Sequence, residues 1–395
     1  MTSLHLWLRL PSAAFSAFML IAVYVFMPPV TRSPYIFCIF LTGLVPLFDL
    51  TLSVGAANMR HSAPSTVDQV RTIIFLLSII VFASSTVTLC VGLLWLELTD
   101  SDLQLFLEHI VFFILTSVFI AVSNALPLFG RTNNYERVLV QAAMADAVAV
   151  AVVLAGFVMD QINLALFVAI RLVLFFVAIS VGARANGRFG DSLTWLRNSV
   201  RERFVFLSGQ LLVTLSGALI YSLPGIYLAG ILDSGELATF GLSVAVANFA
   251  TTFIVTGYST RNDYLAACRS SFTSSVSTML RKLASPFVTY VFLFFLGVAL
   301  LVATYPFLGR GPSPTIAPLI IAGASGSVMV CSQLLALSQR VVARDRFSIP
   351  QLIVGAISLL FLVLFAEGAE SALIINFFAA LAILASGIVL SRKLT

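Results

Sequence analysis

The residues of this chain most able to do chemistry are ionisable groups set inside long apolar runs. Arg171 lies in "LALFVAIRLVLFFVAIS", where fifteen of seventeen positions are apolar. Asp146 lies in "QAAMADAVAV" and Asp49 in "PLFDLTLSV". Charges are costly to keep in such surroundings, so each marks a candidate functional site. A carboxylate there suits a coupling cation or proton. An arginine suits an anion, held by its planar fork of donors. Each has a plainer alternative: Asp49 can bond neighbouring hydroxyls such as Thr51 and Ser53, and Arg171 can pair with Asp146. Glu108 and His109 are consecutive, and consecutive helical positions do not share a face, so they form no ready relay.

Five amides, Asn58, Asn124, Gln141, Gln210 and Asn248, also fall within apolar segments. Together they suit a hydrophilic cleft whose amides meet sugar hydroxyls. Singly, each is accounted for by an interhelical bond of about 0.6 kcal/mol. No GxxxxGK[ST], GxGxxG or HExxH occurs, so ATP hydrolysis, dinucleotide binding and zinc catalysis lose their usual supports. Cys38, Cys90, Cys268 and Cys331 are scattered and lack metal-ligand spacing. The expectation is no catalytic residue, no metal and no cofactor.

Composition dictates what must position these groups. The 395 residues are 60% hydrophobic and 10% charged, with a mean hydropathy of +1.06. Soluble chains are typically about 25% charged. Apolar runs of roughly 18 residues or more, enough to cross a bilayer as helix, recur from end to end. Twelve spans are expected. Six precede the longest inner loop: Leu10–Met27, Tyr35–Ala57, Ile73–Leu96, Phe106–Phe129, Val138–Met159 and Ile162–Gly182. Six follow it: Phe204–Leu228, Leu237–Ser259, Ala284–Thr304, Ile316–Ser338, Ser348–Ala366 and Ser371–Leu390. The fold class is therefore an all-α polytopic membrane protein. The first run lacks a small-residue cleavage site and reads as a span, not a signal peptide. Pro46, Pro127 and Pro224 predict kinks or breaks in three spans.

Direction follows from the basic residues. With the N-terminus inside, nineteen of the 22 fall in cytoplasmic segments, five of them in the 183–203 loop. Outer loops keep only Arg32 and Arg310 and gather acids, among them Asp233, Glu236, Glu367 and Glu370. This is the positive-inside pattern, with both termini cytoplasmic. The net charge of +5 thus reads as a topology signal and not as nucleic-acid binding. Arg171 alone belongs to no loop. Counted at 1.5 Å per residue, it lies roughly 16 Å above the inner face and Asp146 about 12 Å, so an ion pair between their spans is within reach.

Displacing the chain by 201 residues lays Ser33–Arg60 over Ser234–Arg261 without a gap. Ser33/Ser234, Leu41/Leu242, Phe48/Phe249, Thr51/Thr252, Val54/Val255 and Arg60/Arg261 coincide. Both copies are the second helix of their half and run in the same direction. Two such halves imply a pseudo-two-fold axis along the membrane normal and a central cleft, which is transporter architecture. The expected organisation is a six-helix lobe over 1–182, a basic cytoplasmic linker over 183–203, and a second six-helix lobe over 204–395. Trp195 and Leu196 amid the linker's arginines suit a helix lying on the inner leaflet, and a plain topological connector serves equally well.

At this point the chain resembles the Wzx-type polysaccharide flippases of the multidrug/oligosaccharidyl-lipid/polysaccharide (MOP) exporter superfamily. Asp49-Leu50-Thr51-Leu52 is similar to that family's Asp-Leu-Gly-Leu turn, with Thr51 in place of glycine. Gly235-Glu236-Leu237-Ala238-Thr239-Phe240-Gly241 is similar to its entry to the eighth helix, with Thr239 extra. The lipid II flippase branch, ordinarily of fourteen spans, resembles it less. The resemblance implies alternating-access transfer of an undecaprenyl-diphosphate-linked oligosaccharide from the cytoplasmic to the periplasmic leaflet of a bacterial inner membrane. It implies roles in O-antigen and lipopolysaccharide biosynthesis. Partners would be the lipid-linked glycan, membrane lipids and other polysaccharide-assembly membrane proteins. Arg171 and the five amides would then meet substrate, and Asp49 and Asp146 would couple an ion. A cation-coupled multidrug antiporter of the same superfamily is the alternative. A major-facilitator carrier lacks its usual glycine-and-arginine signature in "MRHSAPSTVDQVR", and a membrane polymerase would need a larger outer loop than "YPFLGRGPSPT".

Overall fold

A computed structural model describes residues 22–27, 29–42, 110–119, 135–159, 163–182, 215–259, 276–308, 315–340 and 348–392, with a few isolated positions around them. Every regular element among these is helical. The environment requires it: backbone in hydrocarbon has no water to bond, and a helix satisfies its own groups. The helices are α1 (Pro29–Thr42), α2 (Ile110–Phe119), α3 (Tyr135–Val158), α4 (Leu164–Gly182) and α5 (Leu223–Ile231). They continue with α6 (Ser234–Ser259), α7 (Val276–Leu308), α8 (Ile316–Arg340), α9 (Ser348–Phe365) and α10 (Ala369–Arg392). Among the described residues, α3 and α6 to α10 are long and apolar enough to cross a membrane. The chain is an all-α, multi-pass membrane protein.

These helices fall on the expected fifth, sixth and eighth to twelfth spans; of the seventh, Phe204–Leu228, the stretch from 215 onwards is described and is helical. The third, Ile73–Leu96, and the 183–203 linker lie outside the described residues, as do Pro46 and Pro127. At Pro224 the helical path changes character: a π-helical turn, Ala218–Ser222, abuts α5, which carries Pro224 in its first turn. Proline has no N–H to give to the ladder, so a break in register costs least there. A second π-helical turn, Ala22–Phe26, precedes α1.

The chain packs as two compact units, Met1–Ile36 with Leu219–Thr395, and Phe37–Ala218. The first unit joins described residues from both sequence halves. Local contacts give the reason. Tyr24 packs on Tyr305 of α7 with ring centroids 6.0 Å apart. Ile36 occupies space left by Gly241 on α6, where a Cβ would come within 3.1 Å of it.

Within the first unit α8 is the central helix, 67% of its spanning segment being buried against 22% for α7. It packs against α10, α6 and α7. Phe294 and Tyr290, one turn apart on α7, stack with centroids 5.9 Å apart and fill the space beside Gly323 and Gly326 of α8. Outward positions such as Phe292, Phe295, Ile353, Leu360 and Phe378 are exposed. In a membrane that surface meets lipid, where exposure of this kind carries no penalty. In the second unit α3 and α4 pack as an antiparallel pair.

Candidate functional site

The α3–α4 hairpin is set by its turn. Asn163 precedes α4 and its Oδ1 accepts from Leu166 N–H at 3.0 Å, satisfying a donor that the first helical turn leaves unpaired. Gly156 lets the returning chain close in, since a Cβ there would meet the Phe167 ring and sit 2.9 Å from the Gln161 carbonyl oxygen. Val153 and Leu164, both fully enclosed, lie on either side of the turn. Antiparallel packing from this turn sets Asp146, twelve positions before the end of α3, against Arg171, seven positions into α4, and the long arginine side chain spans the offset of about 7 Å.

There Arg171 Nε donates to Asp146 Oδ1 at 2.6 Å. The bond is short, as charge-assisted bonds are. Both residues are buried, with 4% and 5% exposure, so the pair is cut off from bulk water. The guanidinium carbon lies 3.7 Å from the ring centroid of Phe119 on α2. Phe175, one turn beyond Arg171, meets Phe119 edge-on at 5.2 Å and 69°. Ala142, Leu172, Leu115 and Val118 close the apolar cluster around these rings. Arginine is thus held by a carboxylate at one edge and by a ring on one face. The second contact is a cation–π stack, worth about 2 kcal/mol when desolvated.

The other nominated residues divide sharply. Gln141 lies on α3, half-buried, and its Oε1 is enclosed without a hydrogen-bond partner. Asn248 lies half-buried on α6, in the other unit. Asp49, Asn58, Asn124 and Gln210 lie outside the described residues. The structure therefore brings Arg171 and Asp146 together, with Gln141 on the same helix as Asp146.

One residue read as peripheral is not. Arg32, assigned to an outer loop, is inside the first turn of α1 and only 3% exposed. The reason is Pro29, whose fixed φ suits the first helical position, so the helix begins there and not at Tyr35. Tyr305, in the last turn of α7, is 5% exposed and packs inward on Tyr24. The Pro28-Pro29 pair was the available signal for Arg32. No such signal marks Phe119 among 34 phenylalanines.

No protein-family model and no curated relative matches the chain. Solved structures do. A multidrug-resistance MATE family transporter of the MOP superfamily, in an inward-facing conformation, matches over 98% of this chain and 94% of its own, with a TM-score of 0.54 and 10% identity. The lipid II flippase MurJ, in an inward closed conformation, matches over 97% and 85%, with a TM-score of 0.66 and 13% identity. The eukaryotic MATE transporter AtDTX14 matches over 100% and 96%, at 0.50 and 14%. The fold is similar to that of these transporters. The lipid II flippase, expected from span number to be the less similar branch, matches in fold with a TM-score of 0.66 over 85% of its own chain.

Proposed function

We propose that this protein is a flippase that moves an undecaprenyl-diphosphate-linked oligosaccharide from the cytoplasmic to the periplasmic leaflet of a bacterial inner membrane. The observation that carries the reading is the charge of the described interior. Its buried charged residues are Arg32, Asp146 and Arg171, two cations and one anion. A cationic drug needs an uncommitted carboxylate, and Asp146 is already engaged by Arg171. Arg171, the cation of that pair, carries a planar fork of donors that suits an anionic head group such as a diphosphate. Likeness to a lipid flippase across nearly the whole chain supports the same choice.

In this reading the sugar and diphosphate cross through a cleft between the two sequence halves, 1–182 and 204–395, while the polyprenyl tail stays in lipid. Arg171 exchanges Asp146 for the diphosphate when the cleft admits substrate, and Asp146, so released, takes up the coupling ion. Asn58, Asn124, Gln141, Gln210 and Asn248 meet the sugar, with Asp49 as a second ion site. Other polysaccharide-assembly membrane proteins supply and consume the lipid-linked glycan.

Removal of the gene tests the proposal. Lipid-linked oligosaccharide should accumulate on the inner leaflet and disappear from the outer one, and the wild-type gene should reverse both. Unchanged lipid-linked glycan together with heightened sensitivity to cationic drugs would replace this reading with the multidrug antiporter, whose fold is shared.

A further inference from the structure

Arg32 poses a charge problem that its own surroundings do not solve. A guanidinium stays protonated in any protein environment, so burial cannot neutralise it. Its Nε donates to the Met27 carbonyl oxygen at 2.8 Å. Its plane lies over the Tyr24 ring, with 5.3 Å from the central carbon to the centroid. Nη2 is enclosed and has no hydrogen-bond partner among the described residues. Among the described residues no carboxylate comes within ion-pair distance of it. The residue also sits in the first turn of α1, where the helix dipole presents positive charge of its own. Buried cations in stable proteins are paired, and this one has a ring, one carbonyl and a repelling helix end.

Its depth says where a partner comes from. Tyr305, packed on Tyr24, is in the last turn of α7, and Tyr24 lies beside Thr239, in the second turn of α6. Arg32 therefore stands at the level where helices end and lipid headgroups begin. Phosphate matches the planar fork of an arginine, and three acceptor oxygens can reach Nη2 together with backbone N–H groups of a helix start.

We propose that Arg32, stacked on Tyr24 at the start of α1, forms a phosphate-binding site, filled by the phosphate of a lipid headgroup or by free phosphate. Entry requires the side chains around Nη2 to part, so binding is coupled to local rearrangement between the π-helical turn, α1 and α7. The site is independent of the cargo, and it holds whether the transported molecule is a lipid-linked glycan or a drug.

The test is thermal unfolding of the full-length protein purified in a neutral detergent, titrated separately with sodium phosphate and with dioctanoyl phosphatidic acid. Sodium chloride of equal ionic strength serves as the control. With ligand at about a hundred times its Kd, linkage raises Tm by several degrees. The expected result is a saturable rise for the wild type, lost in Arg32→Gln and shifted to at least tenfold higher ligand in Arg32→Lys, which keeps the charge but not the fork. A rise with the lipid alone identifies a headgroup as the occupant; a rise with both shows that free phosphate suffices. No rise beyond the chloride control, or an equal rise in Arg32→Gln, overturns the proposal. So does restoration of wild-type Tm when Glu236→Gln is added to Arg32→Gln, because the natural partner would then be that carboxylate, which lies one turn before Thr239 on α6. If Arg32→Gln does not fold, the shift in Arg32→Lys decides: an unchanged midpoint overturns the site.

Discussion

Tyr290 of α7 occupies a notch in α8 that exists because residue 326 is glycine. A Cβ at Gly326 would run into the Tyr290 hydroxyl and come 3.2 Å from Thr251 Oγ1. Gly326→Ala should therefore destabilise the protein by about 1–3 kcal/mol through overpacking. Tyr290→Phe removes the atom that collides first, and among the described residues Tyr290 Oη, close to Thr251, makes no well-formed hydrogen bond. That substitution should be neutral or mildly stabilising, and it should cancel part of the Gly326→Ala cost. A double-mutant cycle on thermal unfolding in detergent checks this. Strict additivity would show that the notch is not where the strain falls.

Arg171→Ala and Asp146→Ala should each cost about 3–5 kcal/mol, since either leaves a buried charge unpaired. The double variant should recover most of that loss. Expression and Tm measure the recovery; leaflet distribution of lipid-linked glycan measures transport. A double variant that folds and inserts yet moves nothing assigns Arg171 to the substrate. Wild-type transport by the double variant confines the pair to architecture.

Phe119→Leu tests the ring face separately from the carboxylate. It keeps apolar volume but removes the cation–π contact with Arg171, at a cost of about 2 kcal/mol in a desolvated setting. Phe119→Tyr should be better tolerated than Phe119→Leu by Tm. Equal stability of the two would mean that the ring serves only as packing.

Asp233 Oδ1 accepts from the backbone N–H groups of Gly235 and Glu236, each at 2.8 Å, at the start of α6. Asp233→Ala should cost about 1 kcal/mol, and Asp233→Asn or Asp233→Ser appreciably less. Chemical denaturation in mixed micelles would resolve the order.

Topology carries its own check. Single cysteines placed within 183–203 should escape a membrane-impermeant thiol reagent added from the periplasmic side, whereas one at Gly311 should react. Labelling of the linker from outside would reverse the orientation read from the basic residues.

What the sequence made legible was governed by the range of the interaction concerned. Spans from the fifth onwards depend on local hydropathy, and their helices follow it closely. The meeting of Asp146 and Arg171 was readable as well, because rise per residue converts position into depth and one short turn joins the two helices. Phe119 was not. A ring comes to lie on a guanidinium through packing of a third helix, and nothing local distinguishes one phenylalanine from its neighbours. Arg32 failed for another reason. Averaged hydropathy pushes a charged first turn out of the span, while the proline that starts the helix acts at a single position.

The α3–α4 hairpin constrains how the protein can be made. Arginine or aspartate at the centre of a lone helix disfavours insertion from the translocon by about 2.5–3.5 kcal/mol each. Here the opposed charges lie on successive helices joined by a short turn and meet at 2.6 Å. Neither helix needs to enter lipid bearing a naked charge if α3 waits at the lateral gate until α4 emerges and the two leave as a neutral pair. Truncating the nascent chain between residues 160 and 170 should accordingly leave α3 extractable by alkali, and extension beyond Gly182 should fix both helices in the bilayer.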